Sequence, residues 1–100
     1  MFDFDRIAGF QWDQGNIWKS VEKHGVSQSE AEQAFLNEPL LVAPDVGHSR
    51  SEPRFHALGV TGAGRRLHVT FTLREENTRI RIISARDMSR KERSRYEQET

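Results

Sequence analysis

The sequence predicts an α+β domain: an antiparallel β-meander with two N-terminal helices and one C-terminal helix, all packed on one face of the sheet. Two observations lead to this prediction. Helix-capping patterns occur early and late in the chain, and between them apolar and polar residues alternate in runs separated by short turns. A chain of 100 residues fits one domain, so we assign residues 1–100 to a single unit.

The first elements are a brief strand and a helix. Alternation in FQW, residues 10–12, is typical of a strand. Asp13 is suited to cap a helix over residues 14–24, because its carboxylate accepts hydrogen bonds from the first free N–H groups. Ile17 and Val21 lie four residues apart, with Trp18 beside them, a spacing that favours a helix.

The second helix is marked at both ends. Gly25 suits the end of the preceding helix, because glycine accepts a left-handed conformation. Ser27 and Glu30 then form a capping box, which predicts a helix over residues 28–37. Pro39 cannot continue a helix and is expected to close it.

The middle of the chain changes to a period of two, which indicates strands. The predicted strands span residues 40–43, 55–60, 67–74 and 78–86. The short segments 61–64 and 75–77 are typical of turns. Strands joined by such short turns pair antiparallel, which predicts a meander.

The C-terminal helix is unusually polar. Ser89 and Glu92 form a second capping box, so this helix is expected to begin at Asp87 or Ser89. Apart from Met88, Tyr96 is its one large apolar residue. A helix with so little to bury frays unless it lies against a partner.

Composition excludes several classes of protein. There is no cysteine, so disulfides and thiolate metal sites are excluded. No apolar run approaches the length of a membrane span, and the N-terminus lacks the basic start and long apolar stretch of a signal peptide. We therefore expect a cytoplasmic protein with no membrane partner.

The formal net charge of zero hides an asymmetry between the two halves of the chain. Residues 1–50 contain four basic and eight acidic residues, a net charge of −4, whereas residues 51–100 contain 11 basic and seven acidic residues, a net charge of +4. Such a division favours a basic face that meets an anionic partner. The alternative is a surface on which these charges pair with one another.

Seven short stretches of the sequence, each present once, form a recognisable series. They are WD (12–13), KHGVS (23–27), PD (44–45), RFHALG (54–59), FT (71–72), RIISAR (81–86) and KERSRYE (91–97). In this order, across nearly the whole chain, they resemble the BrnT-type toxins, RelE-like ribonuclease toxins of type II toxin–antitoxin systems.

The resemblance implies a RelE-like fold and an endoribonuclease that cleaves RNA without a metal or other cofactor and thereby inhibits translation. It also implies a cognate ribbon–helix–helix antitoxin, of the BrnA type, that neutralises the toxin by covering its active face. The two proteins would form a toxin–antitoxin hetero-oligomer, and operator DNA would be reached only through the antitoxin.

Metal-free RNA cleavage needs a base for the ribose 2′-hydroxyl, an acid for the 5′-oxygen and cations for the phosphate. Arg81 and Arg86 suit the phosphate, because a guanidinium grips its oxygens with two N–H groups. Strict alternation puts them on opposite faces of a strand, so they converge only if the strand bulges or ends before Arg86. Alternatively, Arg81 faces solvent and Arg86 pairs with Glu92.

The other candidate catalytic residues are Lys23, His24 and Tyr96. His24 suits acid–base work, although a histidine at a helix end also interacts well with the helix dipole. Lys23 either binds phosphate or serves as a helix-end cation. Tyr96 stacks on a base, assists proton transfer, or simply anchors the last helix. The expected RNA-binding residues are Lys19, Arg54, Arg79 and Lys91.

Three more histidines are weaker candidates. Asp45 and His48 suggest a metal site, but further ligands are missing from the pattern, so we expect no metal. His56 and His68 are expected to be neighbours across a hairpin, on the face opposite the alternating apolar residues. No residue stands out as the general base. A second function therefore stays open: a non-catalytic antitoxin-binding corepressor, or an RNA- or protein-binding module. Catalytic turnover of RNA distinguishes the ribonuclease from this non-catalytic alternative.

Overall fold

The computed structural model of the protein describes residues 2–48 and 52–100. The helices and strands are β1 (Gly9–Phe10), α1 (Lys19–His24), α2 (Gln28–Leu36), β2 (Leu41–Pro44), β3 (Arg54–Val60), β4 (Arg66–Arg74), β5 (Arg79–Asp87) and α3 (Arg90–Glu99). Their order is the predicted one. None of the helices in this described part of the chain has the length and apolar surface that crossing a bilayer requires.

The described strands form one five-stranded sheet in the order β1-β5-β4-β3-β2. Strands β2 to β5 pair antiparallel in sequence order, which confirms the predicted meander. β1 adds to the outside edge of β5 in the parallel direction, through Gly9 and Phe10. The fold is therefore α+β as predicted, with a mixed sheet in place of a purely antiparallel one.

One side of the sheet, which we call the core face, carries the main hydrophobic core. Phe71 is fully buried, and the rings of Phe35 from α2 and Phe2 from the N-terminal segment pack edge-on against it, at centroid distances of 5.0 and 5.4 Å. Gly59 of β3 allows α2 to approach closely, because a Cβ there would lie 2.3 Å from the carbonyl oxygen of Ala34.

The C-terminal helix covers part of the opposite side, which we call the outer face. α3 begins at the predicted capping box of Ser89 and Glu92. Tyr96 is the residue that it buries, in a small second cluster with Leu58 and Met88. Because Leu58 alternates away from the core face, helices lie on both faces of the sheet. The prediction that they share one face is wrong.

The first helix is shorter than predicted. The chain turns over residues 14–18 and becomes an α-helix only over Lys19–His24. Gly25 ends it in the left-handed conformation, as predicted. Val21 is exposed and Ile17 is half-buried.

The inner side of this region is polar because it faces the edge of β5. β1 pairs with only two residues of β5 and leaves later backbone groups of that edge without a strand partner. Asn16 donates to the carbonyl oxygen of Ile82 at 2.9 Å, and the Ser20 hydroxyl accepts from the N–H of Ala85 at 2.8 Å. Both side chains are buried. They supply the hydrogen-bond partners that buried backbone groups need.

Candidate active site

The outer face collects polar residues in rows that run across the sheet. Each row combines one residue from β3, one from β4 and one from β5. In order, the rows are Arg54–Thr72–Arg81, His56–Thr70–Ser84 and Leu58–His68–Arg86. Two histidines and three arginines from separate parts of the chain therefore share this face, and α3 lies against the last row.

A β-bulge brings the two RIISAR arginines to the same face. The register between β4 and β5 shifts between Thr70 and Phe71, and Ile83 of β5 is left as the extra residue. One extra residue reverses the alternation of side chains beyond it. Arg81 and Arg86 therefore both lie on the outer face. A bulge in the strand was one of the two conditions under which the sequence allowed them to share a face.

A cleft of about 490 Å³ opens between α3 and the outer face. Its polar lining comes from His56 and His68 of the central strands, Arg86 near the end of β5, and Glu92, Arg95 and Glu99 of α3. We call it the histidine cleft. It is the place where imidazole groups and a guanidinium meet in a space open to a ligand.

Arg86 is held by a two-pronged ion pair with Glu92. Its Nη1 and Nη2 donate to the two carboxylate oxygens at 2.8 and 3.0 Å. The pairing raises the pKa of the guanidinium and lowers the pKa of Glu92 from its ordinary 4.5 to about 2. The sequence offered a pair with Glu92 as the alternative role of Arg86, and this pair is confirmed. It fixes the direction of the guanidinium in the histidine cleft.

His56 and His68 are neighbours, as predicted, with ring centroids 4.8 Å apart. His56 Nε2 lies 3.0 Å from Asp45 Oδ2, and His56 Nδ1 lies 3.3 Å from Thr70 Oγ1. Burial, and then the charge of Arg86, lowers the pKa of His68, which favours the neutral imidazole. The two rings thus differ: His56 is partly exposed and has a carboxylate partner, whereas His68 is buried.

A second cleft, of about 200 Å³, lies at the other end of the outer face. Four basic side chains line it: Lys19, Arg54, Arg74 and Arg81. We call it the arginine cleft. Asp13 binds Arg81 through both carboxylate oxygens, each at 2.9 Å, so Arg81 does not face solvent. Two of the predicted RNA-binding residues, Lys19 and Arg54, therefore lie beside Arg81.

The other two predicted RNA-binding residues lie outside both clefts. Arg79 forms an ion pair with Glu75 in the turn that precedes β5. Lys91 is exposed in the first turn of α3. A part for either residue in RNA binding stays a prediction.

Lys23 and His24 lie at the exposed C-terminal end of α1. Arg65 donates to the carbonyl oxygen of His24 at 3.3 Å, and it pairs with Glu30 and Asp87. Lys23 and His24 line neither cleft. The structure thus does not bring them to the arginines of the outer face, and their catalytic roles stay predictions.

A family model described as the ribonuclease toxin BrnT of type II toxin–antitoxin systems matches residues 12–92. The chain belongs to the BrnT family. Membership makes it a ribonuclease toxin, with RNA as its substrate and an antitoxin as its partner. The matched segment contains strands β2 to β5, which form the floor of both clefts. No curated protein matches the chain.

The sequence interpretation missed that Asp45 is the partner of His56 in this BrnT toxin. β2 and β3 pair antiparallel with Pro44 opposite Phe55, which brings the residue after β2 beside the start of β3. An acidic residue directly after one strand and a histidine near the start of the next were the available signal. The interpretation instead considered Asp45 together with His48, as a metal pattern that lacked further ligands.

Tyr96 has the position of an anchor for α3. Its ring is buried against Leu58 and Met88, and its hydroxyl donates to the carbonyl oxygen of Pro39 at 2.5 Å. Burial raises the pKa of the phenol. Tyr96 lines neither cleft, so this position favours the anchoring role over proton transfer.

Tyr96→Phe is expected to lower the free energy of unfolding by about 1 to 2 kcal/mol, because the Pro39 carbonyl loses its donor. Thermal unfolding measures this loss. RNA cleavage by the folded variant is expected to continue. An unchanged melting temperature together with lost cleavage would instead give Tyr96 a chemical role.

The Arg86–Glu92 pair is expected to make stability depend on pH. The pKa of Glu92 is about 2 in the folded chain against an ordinary 4.5, so its stabilising effect is present above pH 4.5 and disappears as the pH falls towards 2. We expect Glu92→Gln to flatten the acid-side fall of the melting temperature. Glu97→Gln, which breaks the exposed pair with Arg66, is the control and should keep the wild-type slope. Parallel slopes for wild type and Glu92→Gln would contradict this.

Proposed function

We propose that this BrnT toxin cleaves RNA on the outer face by attack of a ribose 2′-hydroxyl on the neighbouring phosphate, without a metal ion. The observation that carries the proposal is the histidine cleft, in which two adjacent imidazoles stand beside the guanidinium of Arg86. Imidazoles transfer protons near neutral pH, and a guanidinium binds phosphate with two N–H groups. These are the kinds of group that the reaction requires.

Arg86 stabilises the negative charge that develops on the phosphate. Glu92 holds its N–H groups in one direction, and the carboxylate marks where two phosphate oxygens bind. The substrate phosphate and Glu92 therefore compete for the same guanidinium. Substrate binding has to displace one carboxylate from Arg86.

The arginine cleft extends the RNA-binding surface along the same face. Lys19, Arg54 and Arg81 lie on the side of the His56 row opposite to Arg86. A strand of RNA that crosses the His56 row thus has basic side chains on both sides of the cleaved bond. Contacts of this kind bind phosphates without reading sequence.

Cleavage of RNA stops protein synthesis in the cytoplasm, and a ribbon–helix–helix antitoxin of the BrnA type neutralises the toxin by covering the outer face. Acidic residues of such a partner complement the basic side chains of the arginine cleft. The two proteins form a hetero-oligomer, and operator DNA is contacted only through the antitoxin.

The test is cleavage of a long naked RNA by the purified chain with EDTA present, and a separate reaction in a translating extract. We expect RNA fragments that end in a 2′,3′-cyclic phosphate and begin with a 5′-hydroxyl, and loss of protein synthesis in the extract. If RNA is cut in neither of the two reactions, the proposal is contradicted and the non-catalytic binding module is favoured. Cleavage of naked RNA only after a divalent metal is restored would contradict the metal-free mechanism.

A further inference from the structure

His56 occupies an open position on the outer face. Across the sheet, its neighbours in the same row are Ala43 of β2 and Thr70 of β4, followed by Ser84 of β5. All three side chains are small, so they leave room above the sheet for a ribose. The His56 side chain is 37% exposed, which allows a ligand to reach the imidazole.

Asp45 holds His56 in one orientation. The Asp45 N–H donates to the carbonyl oxygen of Arg54 at 2.8 Å, which fixes the backbone at the end of β2. Its carboxylate is only 11% exposed and accepts from His56 Nε2 at 3.0 Å. An ionised carboxylate at Nε2 keeps the proton on that nitrogen and leaves the lone pair on Nδ1.

The lone pair of His56 Nδ1 faces a hydroxyl group. Thr70 Oγ1 lies 3.3 Å from it, which is longer than a well-formed hydrogen bond from a hydroxyl. A ribose hydroxyl that enters the cleft can therefore replace Thr70 as the group that donates to Nδ1. Among the described residues, the other charged or titratable groups that line the histidine cleft with His56 are His68 of β4, Arg86 of β5, and α3 residues Glu92, Arg95 and Glu99.

We infer that His56 is the catalytic base that removes the proton of the attacking 2′-hydroxyl, and that Asp45 is a positioning residue that acts through His56. In the step, the 2′-oxygen forms a bond to phosphorus while the bond between phosphorus and the 5′-oxygen breaks. The 2′ proton moves to His56 Nδ1, and the departing 5′-oxygen takes a proton from solvent. His56 then returns its proton to solvent, so the proton count balances.

This inference rests on the proposed function, and the experiment separates the two. Cleavage rates are measured for wild type, His56→Ala, Asp45→Asn and the double variant, on naked RNA and in a translating extract. Glu22→Gln, which removes an exposed carboxylate of α1 outside both clefts, is the control for the loss of an acid. Circular dichroism checks that each variant is folded.

His56→Ala is expected to lower the turnover rate about 100- to 10,000-fold with little change in KM, as is usual when an acid–base group is removed. Asp45→Asn is expected to lower turnover up to about 100-fold, because the imidazole is misplaced or carries its proton on the wrong nitrogen. In the His56→Ala background, Asp45→Asn is expected to add no further loss, since its effect passes through His56. Added imidazole should partly restore cleavage by His56→Ala and leave Glu22→Gln unchanged.

Two results would overturn the inference while leaving the proposed function intact. One is cleavage by His56→Ala at the wild-type rate. The other is an Asp45→Asn loss of the same size with and without His56, which would show that Asp45 acts by another route. If the wild-type chain cuts RNA in neither setting, the proposed function and the role of His56 both fail.

Discussion

Arg86→Ala is expected to slow RNA cleavage by about 100- to 1,000-fold, the loss usual when one donor to a developing negative charge is removed. The guanidinium lies in the histidine cleft, where two hydrogen bonds to Glu92 hold it before substrate binds. Arg86→Lys keeps the positive charge and loses the fork of N–H groups, so its cleavage rate is expected to lie between those of wild type and Arg86→Ala. Single-turnover cleavage of a labelled RNA measures the effect.

Arg66→Ala is the matched control for Arg86→Ala. Arg66 also joins the sheet to α3, through an ion pair with Glu97, but it lies outside the histidine cleft. We expect this variant to cleave RNA nearly as fast as wild type. Equal losses in the two variants would mean that the attachment of α3, rather than the guanidinium in the cleft, supports activity.

Gly59→Ala is expected to destabilise the fold by about 3 kcal/mol or more, because overpacking against a rigid neighbour forces the backbone to move. The added Cβ would lie 2.3 Å from the carbonyl oxygen of Ala34, in the last turn of α2. Relief of this contact requires α2 to move away from β3, and the packing of Phe35 on Phe71 weakens with it. A loss of this size is a large part of the stability of a small domain.

Gly62→Ala is the control for Gly59→Ala. Its Cβ would meet only the end of the Gln33 side chain, at 3.4 Å, and that side chain can move. Urea unfolding of both variants is expected to show a large loss for Gly59→Ala and a small change for Gly62→Ala. Similar midpoints for the two variants would contradict the packing of α2 against β3.

Features set by neighbouring residues were predictable from the sequence. The capping boxes at Ser27 and Ser89, the left-handed Gly25 and the antiparallel meander follow from local patterns, and all are present. The polar inner side of α1 was not predictable, because it depends on the short pairing of β1 with β5. Buried Asn16 and Ser20 satisfy backbone groups that no local pattern reveals.

The candidate site was predictable only in part for the same reason. The alternation of β3 and β4 correctly made His56 and His68 neighbours, but the bulge that reverses the alternation in β5 has no clear mark in the sequence. The pairing of Asp45 with His56 depends on the register of β2 against β3.

The charge asymmetry between the halves of the chain has two consequences in the folded protein. Arg81 pairs with Asp13 and Arg65 pairs with Glu30, so part of the basic half is neutralised by the acidic half. This agrees with the alternative that the charges pair with one another. The arginine cleft gathers four basic side chains on the outer face, and two of them are paired, Arg81 with Asp13 and Arg74 with Glu52. This is the side proposed to meet RNA.

The most direct test of this account is the cleavage of an RNA that lacks a single 2′-hydroxyl. The sites cut by the purified chain are first mapped on an unmodified RNA in EDTA. The same RNA is then prepared with one 2′-deoxynucleotide on the 5′ side of a mapped bond. We expect cutting to stop at this bond and to continue at the others. Equal cutting at the deoxy position would show that the 2′-hydroxyl is not the nucleophile and would contradict the proposed chemistry of the outer face.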